Sequence, residues 1–81
     1  MTTREDVANW LVERIISNGK QFTYQEKVVA EVRSVFGAEW TYQNENGNPA
    51  IDRNVLVKFR SIKPNNIQWD RSEFGWRVVD D

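Results

Sequence analysis

Apolar residues near the start of the chain recur every three or four positions: Val7, Ala8, Leu11, Val12, Ile15 and Ile16, with Trp10 on the flank. Asp6, Asn9, Glu13 and Ser17 form the opposite stripe. This spacing predicts an amphipathic helix from about Thr3 to Asn18. Thr2-Thr3-Arg4-Glu5 reads as the capping box that opens it, and Gly19 stands where a left-handed C-cap residue belongs. A second stripe, Val28, Val29, Val32, Val35 and Phe36, predicts a helix opened by the box Thr23-Tyr24-Gln25-Glu26 and stopped at Gly37, with Lys27, Glu31 and Ser34 facing solvent. Its β-branched residues lower intrinsic helicity, so tertiary packing must hold it in place.

Residues 38–50 read as irregular. Trp40 and Tyr42 alternate with polar neighbours like a short strand, and Asn44-Glu45-Asn46-Gly47-Asn48-Pro49 is a dense turn signal. Asp52 is a good N-cap for a third helix, with Ile51 and Leu56 spaced as a hydrophobic staple. Val55, Leu56, Phe59 and Ile62 make its buried stripe, and Pro64 ends it. Beyond Pro64, Ile67 and Trp69 share one face of a short strand, while Trp76 and Val78 share one face of another. The polar, Gly-ended stretch between them reads as a loop, with the burial of Phe74 undecided. A two-stranded hairpin is marginal alone, so the stretch around Phe22 is expected to add a third strand.

Three helices followed by a hairpin predict an α+β, winged-helix-like fold over residues 1–81: one domain, a small antiparallel sheet and a C-terminal hairpin as the wing. The block from Phe36 to Asn48, with Ile51, Leu56, Phe59, Trp69 and Trp76-Arg77, resembles a small family of uncharacterised bacterial proteins of about 80 residues. The resemblance runs from Phe22 to Val78 and rests mainly on turn-formers and core aromatics. It implies a compact domain and carries over no catalytic residue.

A chain of 81 residues buries only about 60% of the surface its unfolded form exposes, so its core must be efficient. Four Trp, four Phe and two Tyr meet that need, since each ring buries roughly 150–250 Å². The chain has no Cys and no His, which removes disulfides, thiolate or imidazole metal sites and Cys or Ser-His nucleophilic chemistry. No two carboxylates form a recognisable acid/base pair, so no enzyme, metal or cofactor is expected. Neither a signal peptide nor a membrane span is legible, and a cytoplasmic protein is the default.

Net charge is −1, unusual for a small nucleic-acid binder. The distribution is informative, because residues 51–63 alone are positive, with Arg53, Lys58, Arg60 and Lys63 against Asp52. The outward face of the third helix is therefore a candidate surface for double-stranded DNA: Arg53, Asn54, Val57, Lys58, Arg60 and Ser61, with Arg71 on the wing. Arg suits guanine edges, Asn adenine, Lys phosphate, and the Val57 methyls thymine. The same side chains equally suit a solvated face whose cations complement the helix dipole. The long connection before the third helix, the acidic Asp70 and Glu73 on the wing, and Asp80 and Asp81 weigh against DNA. The rival reading is a protein-interaction or homodimerisation module that uses Trp40, Tyr42 and Phe74, and one of Trp69 or Trp76, as surplus surface aromatics. Roofing of a small core explains such aromatics as well.

Overall fold

A computed structural model of the chain describes residues 1–79. The first helix, α1 (Arg4–Asn18), is capped one residue later than the Thr2 box implies. Thr3 Oγ1 accepts from the Asp6 amide at 3.2 Å, and the Asp6 carboxylate accepts from the Thr3 amide at 2.9 Å. Asp in place of Glu closes the same reciprocal pair, so the box is Thr3-x-x-Asp6. α1 buries Val7, Ala8, Leu11 and Ile15, whereas Ile16 is exposed, because the helix meets its neighbours along a stripe narrower than its apolar residues.

The second expected box is not one. Thr23 belongs to a two-residue strand, β1 (Thr23–Tyr24), where it is buried and its hydroxyl accepts from Asn18 Nδ2 at 3.1 Å. α2 (Gln25–Val35) follows with no side-chain cap, turning Val28, Val29 and Val32 inward. Val35 is exposed, and Phe36 packs edge-on against Trp10 with centroids 5.8 Å apart. Glu31 does not face open solvent: its carboxylate accepts from Arg14 Nε at 2.9 and 3.1 Å, tying α2 to α1. This hydrogen bond, above all, raises the Arg14 pKa against a smaller opposing effect of burial.

Residues 38–51 are more regular than their composition suggests. Ala38–Trp40 is a 3-10 turn, and β2 (Thr41–Gln43) pairs antiparallel with β3 (Pro49–Ile51), so Trp40 stands outside the strand it was expected to begin. The turn between them is organised by one side chain, since Asn44 Oδ1 accepts from the amides of Asn46 and Asn48, each at 3.0 Å. Gly47 supplies the positive φ of 78°. Asp52 then caps α3 (Arg53–Ile62), accepting from Asn54 and Val55, as its position implies.

The remaining strands, β4 (Ile67–Asp70) and β5 (Gly75–Val78), form the C-terminal hairpin. β1 adds to β5, giving a three-stranded antiparallel sheet in the order β1-β5-β4. The third strand is therefore Thr23–Tyr24, just after Phe22. Gly75 permits that approach: a Cβ there would lie 2.9 Å from the Thr23 carbonyl oxygen. The core gathers the inward faces of all three helices, Ile51 of β3 and the inner face of this sheet, where Val55 and Phe59 join Ile67 and Trp76. Leu56 and Ile62 only flank it. Three helices, a small antiparallel sheet and a C-terminal hairpin make an α+β fold compatible with a winged-helix-like arrangement.

Candidate functional site: a groove between the third helix and two hairpins

Gln25, the first residue of α2, joins the two hairpins. Its backbone amide donates to the Phe74 carbonyl at 2.9 Å, on the C-terminal hairpin, and its side-chain amide donates to the Pro49 carbonyl at 3.0 Å, on β3. The hairpins are thereby held as two walls beside α3. Two adjoining hollows, of about 630 and 520 Å³, lie along this side of the domain and share Gln25, Leu56 and Trp69 in their linings.

The first hollow lies between α3 and β4. Trp69 has the parity of Ile67 and faces the helices, yet it is 40% exposed, because β4 is the outer strand and α3 covers only the inner part of the sheet. Arg60 and Lys63 stand on the helix side, and among the described residues no carboxylate lines this hollow. Lys63 Nζ donates to the Ile67 carbonyl at 3.1 Å, so its charge is anchored at the edge of β4.

In the second hollow, Tyr42 of β2, Trp69 of β4 and Phe74 of the hairpin turn face the same space above Pro49 and Ala50. Trp69 and Phe74 meet edge to face with centroids 6.3 Å apart. Phe74 takes a left-handed φ of 52°, unusual for a bulky residue, and is 61% exposed. Asp70 organises that turn: its Oδ1 accepts from Ser72 Oγ at 2.6 Å and from the Ser72 and Glu73 amides at 2.9 and 3.2 Å. The Ser72 side-chain bond, followed by the Glu73 amide, holds the Asp70 carboxyl below its ordinary range.

The candidate DNA-facing residues of α3 divide among three surroundings. Arg53 lies over the Tyr42 ring, 5.7 Å from its centroid, and Arg60 borders the first hollow. Asn54, Val57, Lys58 and Ser61 turn toward the start of α1, where Lys58 Nζ is 3.9 Å from Glu5. Arg53, Asn54, Val57, Arg60 and Ser61 are exposed and Lys58 is half-buried. Arg71 is exposed on the hairpin turn and lines neither hollow of the groove. Asp80 and Asp81, weighed against DNA on charge, lie outside the described residues.

Of the candidate interaction residues, Tyr42 and Phe74 converge and Trp40 does not. Trp40 is half-buried in the 3-10 turn near Arg4 and Asp52, and its Nε1 is buried with no hydrogen-bond partner among the described residues. Gln25, Leu56 and Pro49 were not singled out by their sequence context, since a Gln at a helix start, a staple Leu and a turn Pro each have a complete structural explanation there.

The whole groove falls within residues 3–78, which match the model of a family of unknown function, DUF6953. The chain belongs to that family. No curated protein and no solved structure matches it. Membership in DUF6953 brings no named ligand or activity, so the chemistry must be read from the groove. Among the described residues no three carboxylates gather to hold a metal ion, and no helix is long and apolar enough to cross a membrane.

Proposed function

We propose that this domain is a non-catalytic binding module that takes a segment of another protein in the groove beside α3. The observation that carries this reading is the convergence of Tyr42, Trp69 and Phe74, from two hairpins remote in sequence, on one hollow while all three remain at least one-third exposed. Small domains gain most from burying aromatic rings, and rings that stay exposed together, rimmed by polar groups, suit the anchoring contacts of an interface. The order of elements supports a winged-helix-like assignment, and the resemblance of the central block supports a bacterial one. A chain without Cys suits the reducing cytoplasm.

The test is a random-peptide display library panned against the full chain and, in parallel, against a Tyr42→Ser/Trp69→Ser/Phe74→Asn variant whose fold is checked by circular dichroism. Peptides enriched on the first and lost on the second support the reading. Equal enrichment on both, or none on either, overturns it.

A second reading, double-stranded DNA on α3, is favoured by one observation: Arg53, Asn54, Val57, Arg60 and Ser61 are all exposed on a single helix. Net acidity, Glu5 beside Lys58 and Glu73 on the wing oppose it. A mixed-sequence duplex titrated at low salt decides, with association that is lost on Arg53→Ala as the supporting outcome and no association as the opposing one.

A further inference from the structure

We infer that the occupant of the groove is an extended peptide segment that pairs with the free edge of β4 at Trp69 and sets a carboxylate against Arg60. This inference rests on the groove-binding reading and specifies its partner.

The hydrogen bonds around the hairpin establish which backbone groups are open. Val79 donates to the Asn66 carbonyl at 2.8 Å, across the hairpin, whereas Val78 donates to the Gly19 carbonyl at 3.0 Å, away from β4. Bonded and non-bonded pairs alternate along an antiparallel ladder, so Ile67↔Val78 and Trp69↔Trp76 are non-bonded pairs. Ile67 and Trp69 therefore direct their N–H and C=O groups to the outer edge of the sheet. At Ile67 both are taken, the amide by the Pro64 carbonyl at 3.2 Å and the carbonyl by Lys63 Nζ. At Trp69 nothing outside the sheet takes either group among the described residues. The edge is thus closed at one end by Lys63 and left open where the aromatic hollow begins. An open strand edge beside a side-chain pocket is the geometry of strand addition, in which main-chain bonds give affinity and alternate side chains give specificity.

Charge selects the partner's chemistry. The hollow beside β4 carries Arg60 and Lys63 and, among the described residues, no carboxylate, in a chain whose net charge is −1. Lys63 is engaged at Ile67, and Arg60 has no acidic partner among the described residues. A planar guanidinium at the rim of a hollow matches a carboxylate bidentately. The complementary segment carries an Asp or Glu near the Arg60 end and an aliphatic or aromatic side chain that settles on Leu56 and Trp69.

The experiment uses peptides selected on the full chain by random decapeptide display, then synthesised and measured by calorimetry. The result expected is a consensus with one acidic residue beside apolar ones at alternate positions. Its affinity should fall about tenfold or more on Arg60→Glu and recover when the peptide's acid is replaced by Lys. N-methylation of the amide opposite Trp69 should abolish binding. Peptides that depend on Trp69 but bind as helices, indifferent to N-methylation, would overturn strand addition and leave the groove reading standing. Affinity unchanged by Arg60→Glu, which lies on an exposed position and spares the fold, would overturn the acidic assignment. Selection of no peptide that separates wild type from the triple aromatic variant would overturn both this inference and the reading beneath it.

Discussion

Trp69 and Trp76 face each other across β4 and β5 with ring centroids 4.7 Å apart and planes inclined at 60°, yet Trp76 is 5% exposed and Trp69 40%. Strand parity gives both the same face, and the helices account for the difference. Phe59 of α3 meets the Trp76 ring at 5.7 Å and closes it in, while Trp69, one strand further out, lies beyond the helix. One ring of the pair is core and the other is the floor of the groove.

The two Trp→Ala variants should therefore behave differently. Trp76→Ala should cost about 3–5 kcal/mol, a large part of the stability of so small a domain. Trp69→Ala should cost about 1 kcal/mol, chiefly for the lost ring-ring contact. Urea denaturation midpoints check this, and equal shifts for the two would mean that Trp69 is as much a core residue as Trp76.

Gly75 should tolerate no side chain. Its φ is ordinary, so the constraint is space: the Cβ of Ala would meet the Thr23 backbone oxygen at 2.9 Å, and backbone cannot rotate aside as a side chain can. Gly75→Ala should cost about 1–3 kcal/mol and separate β1 from β5. Amide exchange in the hairpin reports the separation, and an Ala variant with unchanged exchange at Trp76 would show that the sheet adjusts.

Helices, hairpin and sheet were legible because each leaves a local periodicity, and the terminal details were not because they depend on choices between neighbours. Thr2-x-x-Glu5 and Thr3-x-x-Asp6 are both acceptable boxes, and the helix uses the second. At Thr23 the same kind of pattern is overruled by the sheet, which takes the residue as a strand and leaves α2 without a side-chain cap. The β2–β3 pair escaped notice because Pro49-Ala50-Ile51 is too short to show alternation and Pro argues against a strand interior. Tyr42 and Phe74 were legible as surplus aromatics. Their meeting place with Trp69 was not, since it depends on Gln25 bridging two hairpins remote from each other in sequence.

The choice of box has its own check. Thr3→Ala should destabilise the domain by about 1 kcal/mol, since both orphan amides lose their partners or their geometry. Thr2→Ala should leave the thermal midpoint unchanged. The reverse order would restore the earlier cap.

Acid should loosen the hairpin turn. The folded-state pKa of Asp70 lies below its unfolded value, so its contribution to stability is fully present above the ordinary carboxylate range of about 4 and is lost as pH falls through the folded value. Exchange at the Ser72 and Glu73 amides, corrected for intrinsic rates, should accelerate over that interval. In Asp70→Ala it should already be fast at neutral pH, and protected amides in that variant would show that the turn is held by something other than this carboxylate.

Gln25 offers the sharpest link between fold and groove, because its side chain and its main chain serve different walls. Gln25→Ala keeps the amide that holds Phe74 and removes only the bond to the Pro49 carbonyl, leaving that oxygen without its 3.0 Å donor. The stability cost should be about 0.5–1.5 kcal/mol, the ordinary net worth of one hydrogen bond. The effect on the groove should be disproportionate, since β2–β3 is a pair of three-residue strands and such hairpins are marginal without outside support. Amide exchange should rise at Tyr42 and Asn44 while the β4–β5 hairpin stays protected, and any peptide selected on the wild type should bind more weakly to the variant. A uniform rise across both hairpins would mean that Gln25 stabilises the domain as a whole. Selective loosening of β2–β3 with undiminished peptide affinity would place the contact surface on the α3–β4 side alone, with Tyr42 outside it.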